Sequence, residues 1–65
     1  MTYELTYRYE SPKYGNGIDT LFVNTRAKTE KGIARATAKA LQKYVDMYGM
    51  TKVEALDFCE WDGRL

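Results

Sequence analysis

The chain has no histidine, a single cysteine and a single proline among its 65 residues. A lone cysteine cannot form an internal disulfide, and without histidine the usual Cys/His zinc site is also excluded. Domains of this length commonly gain stability from a disulfide, a metal or a partner subunit. Of these sources of stability, only self-association or a partner protein remains. We expect neither a cofactor nor a metal.

Long hydrophobic runs are also missing. The longest uninterrupted apolar stretch is Leu21-Phe22-Val23, which is far too short to span a membrane. The first ten residues lack the apolar segment of a secretory signal. A single cysteine is also typical of proteins in reducing compartments, where disulfides rarely form. We therefore expect a cytoplasmic protein that has no membrane contact and forms one small domain over residues 1–65.

Alternation of polar and apolar residues predicts a first strand at about 2–10. Its buried side would carry the aromatic and aliphatic residues Tyr3, Leu5, Tyr7 and Tyr9. Turn-forming residues at 11–17 then interrupt the pattern and predict a hairpin with a loose tip. A second strand is predicted at about 18–27, with Leu21 and Val23 on the side opposite Phe22.

A helix is predicted over about 30–48. Thr29 can cap its first turn, and Gly49 suits the left-handed position at which many helices end. Polar side chains fall within one narrow arc, and more than half of the circumference is apolar or small. This apolar arc is wider than the stripe that a three-stranded sheet contacts, so we expect a second surface to pack against the surplus.

The last predicted strand covers about 52–61, followed by a turn at Asp62-Gly63 and a tail of Arg64 and Leu65. The sequence does not indicate which side of this strand points to the core. Leu56 and Phe58 share one side, whereas the other side takes Val53, Ala55, Cys59 and Trp61. This pattern predicts either a β-bulge or burial on both faces.

These elements predict an α+β fold, a single ββαβ domain with one long helix on one face of a three-stranded sheet. We favour the wholly antiparallel strand order 2-1-3, because the first strand alternates cleanly. The alternative order 1-2-3 would make the second and third strands parallel neighbours through a right-handed crossover.

Catalysis is not expected from these residues. Histidine, the usual acid–base group near neutral pH, is missing. Asp57 and Glu60 lie near Cys59 in sequence, and neighbouring negative charge raises a thiol pKa and suppresses nucleophilicity. The glycines Gly15 and Gly17 precede a strand, whereas a phosphate-binding loop opens a helix.

Charge is distributed unevenly along the chain. Residues 26–43 include six basic residues and one acidic residue, whereas the chain from residue 46 onward includes five acidic and two basic residues. The sequence thus predicts a basic helix and an acidic third strand. Candidates for contact with nucleic acid or an acidic partner are Lys28, Lys31, Arg35, Lys39 and Lys43.

Candidates for protein contact are aromatic residues expected at the surface and small residues on the surplus helix arc. They are Phe22, Trp61, Tyr14, Ala34, Ala38 and Val45. The sequence predicts a non-enzymatic protein-binding domain that forms a homodimer. We expect a stoichiometric inhibitor or adaptor of the kind that phages or mobile elements encode, for example against host defence. The alternative is a nucleic-acid-binding module that uses the basic helix face.

Overall fold

The fold consists of three strands and one helix, which a computed structural model describes for residues 1–63. The elements are β1 (Thr2–Ser11), β2 (Gly15–Asn24), α1 (Glu30–Tyr48) and β3 (Lys52–Trp61). Strand β1 lies between the other two and is antiparallel to both, in the order β2-β1-β3. This confirms the predicted ββαβ fold and rules out the order 1-2-3. The predicted tail, Arg64 and Leu65, lies outside the described residues.

The hairpin is tighter than the sequence suggests, and the predicted second strand at 18–27 is wrong at both ends. Ser11 pairs with Gly15, so the turn contains only residues 12–14. The Ser11 hydroxyl accepts a hydrogen bond from the backbone N–H of Tyr14 at 3.1 Å and closes this turn. Residues 15–17 therefore pair with β1, and residues 25–27 belong to the link to α1.

Helix α1 spans the residues over which the sequence predicts it, and both ends are capped. The Thr29 hydroxyl accepts a hydrogen bond from the Gly32 N–H at 3.1 Å. Gly49 adopts φ +60°, a conformation that costs other residues about 1–2 kcal/mol. Two residues later the Thr51 N–H donates to the Glu10 carbonyl at 2.9 Å, so α1 leads directly into β3 beside β1.

The buried core lies between α1 and the strands β1 and β2, and Val53 of β3 packs at its edge. Its fully buried hydrophobic residues are Leu5, Tyr7, Leu21 and Val23, all from β1 and β2. The helix packs against them with Ala36, Ala40, Leu41 and Tyr44. A helix is about 10 Å wide and strands lie about 4.8 Å apart, so one helix covers about two strands. Strand β3 is left largely uncovered.

A bulge determines which way β3 faces. Thr6 pairs with Asp57 and Tyr7 with Ala55, so Leu56 is an extra residue in β3. The bulge brings Ala55 and Phe58 to the same side of the sheet, the side that carries α1. The sequence thus predicts the bulge correctly, whereas burial on both faces does not occur, since nearly every β3 residue is exposed.

Candidate protein-binding groove

The uncovered side of β3 is the floor of a long groove beside α1. Its larger stretch measures about 610 Å³ and is lined mainly by apolar side chains. A second stretch of about 340 Å³ shares Ala38 and Leu41 with the first and continues past Val45. We call the two stretches the α1–β3 groove. Its wall is the flank of α1, and its floor is formed by Ala55 and Phe58.

Phe58 is the largest exposed side chain of the groove floor. Its ring stacks on that of Tyr3 with centroids 5.4 Å apart and planes inclined by 11°. The stack holds the ring in place, yet 42% of the residue remains exposed. Large aromatic side chains held rigidly at a surface are typical anchors of protein interfaces.

The groove wall is built from small residues of α1. Ala34 and Ala38 line its larger stretch and are both exposed, and Val45 lines its smaller stretch. Small side chains allow the backbone of a neighbouring segment to approach closely. The apolar surplus of the helix therefore faces the groove, and three predicted contact residues lie there together.

The other three predicted contact residues lie elsewhere. Phe22 and Trp61 meet edge to face at 5.4 Å on the open face, the side of the sheet that faces away from α1. Tyr14 lies in the hairpin turn, where its ring packs edge-on against Tyr48 at 5.4 Å. The open-face pair and the hairpin tip are thus separate from the α1–β3 groove.

The sequence did not single out Phe58, Ala55 or Leu41 as contact residues. The bulge at Leu56 changes the alternation within β3, so the sequence pattern does not indicate on which side of the sheet Phe58 lies. One signal was available: three strands are wider than one helix, so part of a three-stranded sheet stays uncovered.

Opposite charges flank the groove, and many of them are unpaired. The predicted basic residues are all exposed, and none makes an ion pair within residues 1–63: Lys28, Lys31, Arg35, Lys39 and Lys43. On β3, Glu54 lies 3.4 Å from Arg8, but neither Asp57 nor Glu60 makes an ion pair in this part of the chain. Glu60 lies on the groove side of the sheet, since it pairs with Tyr3, whereas Asp57 pairs with Thr6 and lies on the open face.

The one thiol is exposed on the open face of β3. Partial desolvation, together with the carboxylates of Asp57 and Glu4, raises the pKa of Cys59. The thiol is therefore largely protonated at neutral pH. Among residues 1–63 no cluster of three or more Cys, Asp or Glu side chains is placed to hold a metal ion.

No family model, curated protein or solved structure matches the chain. No helix within the described residues is long and apolar enough to cross a membrane. The α1–β3 groove and the charges beside it are structural features that bear on function.

Proposed function

We propose that the chain is a non-enzymatic protein-binding module, acting as a stoichiometric inhibitor or adaptor, and that the α1–β3 groove is its binding site. The observation that carries this proposal is Phe58, a large ring on the helix side of the sheet that stays 42% exposed. Covering apolar surface contributes about 25 cal/mol per Å². A partner that covers the groove would therefore gain binding energy without any change in the fold.

The partner segment that suits this groove is an amphipathic helix with a basic flank. The groove runs along α1, and helices commonly dock their apolar side into such grooves. Ala34 and Ala38 allow this helix to lie close to α1. Its basic flank would meet Glu60, which lies on the groove side and makes no ion pair within residues 1–63.

Two synthetic helical peptides test the proposal. Both carry the same Leu/Ala face, one with a lysine flank and the other with a glutamate flank, and each is titrated by fluorescence anisotropy. We expect the lysine peptide to bind at least about tenfold more tightly at low salt. Phe58→Ala should weaken its binding, whereas the matched control Phe22→Ala, on the open face, should not.

Failure of both peptides to bind would contradict the groove as a binding site. A larger loss of affinity in Phe22→Ala than in Phe58→Ala would also contradict it, because the open face would then be the contact surface.

A second candidate function, nucleic-acid binding, is favoured by one observation. The five exposed basic residues on α1 and before it have no ion-pair partner within residues 1–63. Phosphates could neutralise them, and such binding weakens log-linearly with salt. Titration against labelled single- and double-stranded DNA and RNA tests this, with Lys39→Glu/Lys43→Glu as the damaging variant. No binding at low salt would exclude this candidate.

A further inference from the structure

We infer that the helix bound in the α1–β3 groove is α1 of a second copy of this chain, in a dimer with two-fold symmetry. This inference rests on the proposed function, because it names the partner of the same groove. Three observations carry it: the character of α1, the unpaired charges and the surface area of the molecule.

Helix α1 has the properties that the groove requires of its occupant. The flank that lines the groove carries Ala34, Ala38 and Val45, and the basic residues Lys31 and Arg35 follow next around the helix. The flank of α1 therefore forms a ridge, and the α1–β3 groove beside it forms a trough that such a ridge can enter. In a two-fold pair each ridge enters the other copy's trough, so that one favourable contact is made twice.

The unpaired charges are complementary across such a contact. Lys31 and Arg35 make no ion pair within residues 1–63, and neither does Glu60 at the opposite rim of the groove. Docking α1 beside Phe58 of the second copy brings Lys31 and Arg35 toward Glu60. The basic helix and acidic strand that the sequence predicts thus find partners in each other.

The surface of a single copy is larger than a folded monomer of this mass requires. It measures 5096 Å² for a mass of 7.5 kDa. A typical monomer of that mass exposes about 4,200 Å². The excess of about 900 Å² matches the roughly 800 Å² that each partner contributes to a standard interface. The radius of gyration, 12.2 Å, also exceeds the value of about 10.7 Å for a compact domain of this length.

A charge-swap experiment tests the dimer. One variant carries Lys31→Glu and Arg35→Glu, and the other carries Glu60→Lys. Each variant, the wild type and an equimolar mixture of the two variants are followed by sedimentation velocity from about 1 µM to about 1 mM. Lys39→Glu/Lys43→Glu is the matched control, because it makes the same charge change on the outer face of α1. Circular dichroism verifies that every variant is folded.

The wild type should shift with concentration from 7.5 kDa toward twice that mass. Each variant alone should associate at least about tenfold more weakly at low salt, because both of its helix–strand contacts join like charges. The mixture should recover the dimer, since both contacts of a mixed pair then join opposite charges. The matched control should associate like the wild type.

A wild type that stays at 7.5 kDa over the whole range would overturn the inference. If the lysine-flanked peptide still bound the groove, the proposed function would stand and only the identity of the partner would be wrong. A mixture that fails to recover the dimer would overturn the pairing of the basic helix with the acidic strand.

Discussion

The rings of Tyr3 and Phe58 stack 5.4 Å apart across the boundary between the covered and the uncovered part of the sheet. Leu5, which pairs with Phe58 on the neighbouring strand, is only 4% exposed. Burial therefore changes sharply within one residue pair. The helix covers one member of that pair and leaves the other to form the floor of the α1–β3 groove.

Truncating these two residues should have very different effects on stability. Leu5→Ala should lower the free energy of unfolding by about 3 kcal/mol, because it opens a cavity in the core. Phe58→Ala should cost only about 1 kcal/mol, the approximate contribution of its aromatic stacking. Urea unfolding measures both values. A similar loss in the two variants would show that Phe58 serves folding rather than binding.

Ser11 joins the hairpin turn to the end of the helix. Its hydroxyl donates to the Tyr48 carbonyl at 2.9 Å and accepts from the Tyr14 N–H, and the residue is 3% exposed. Ser11→Ala leaves these groups without their partner and should cost about 1–3 kcal/mol in urea unfolding. Thr20→Ala removes an exposed hydroxyl and should cost less than about 0.5 kcal/mol. Equal losses would contradict a structural role for Ser11.

Tyr7 should make the fold sensitive to alkaline pH. Burial, with a smaller contribution from the Asp19 carboxylate, raises the pKa of its phenol in the folded state. The folded state then holds the proton more tightly than the unfolded state. The stabilisation is complete below about pH 10, the unfolded pKa, and is lost as pH rises through the higher folded pKa.

Chemical denaturation at a series of alkaline pH values measures this effect. Tyr7→Phe should lose less stability with rising pH than the wild type, whereas Tyr14→Phe, a change at an exposed tyrosine, should follow the wild type. A Tyr7→Phe variant that loses stability in parallel with the wild type would contradict the role of Tyr7.

Cys59 should react slowly with alkylating reagents despite its exposure. Its raised pKa lowers the fraction of reactive thiolate at neutral pH. The rate with iodoacetamide should be lower than that of glutathione at pH 7 and rise with pH, and Asp57→Asn should increase it. A rate above that of glutathione would indicate an activated thiol and would reopen the question of catalysis.

Local signals in the sequence predict most of the fold. The alternation of Tyr3, Leu5 and Tyr7 identifies the central strand, and Thr29 and Gly49 mark the ends of the helix. The start of β2 is missed because its glycines resemble a loop. They lie in the strand because the Ser11 hydroxyl closes the turn within three residues.

The candidate site is only partly predictable from the sequence. The surplus apolar arc that carries Ala34 and Ala38 lines the α1–β3 groove, and the charge pattern indicates a basic helix and an acidic strand. The position of α1 across the sheet depends on packing against Leu21 and Val23, far away in sequence. The exposure of Phe58 follows from that position and has no local sequence signal.

The most direct test of the groove as the recognition surface is a dilution series of the isotope-labelled wild type, followed by ¹H–¹⁵N correlation spectra. We predict concentration-dependent amide shifts at Ala34, Ala38 and Phe58, with little change at Phe22 and Ile18 on the open face. Shifts concentrated at Phe22 and Ile18, or spectra that do not change with concentration, would contradict recognition of a second copy through the α1–β3 groove.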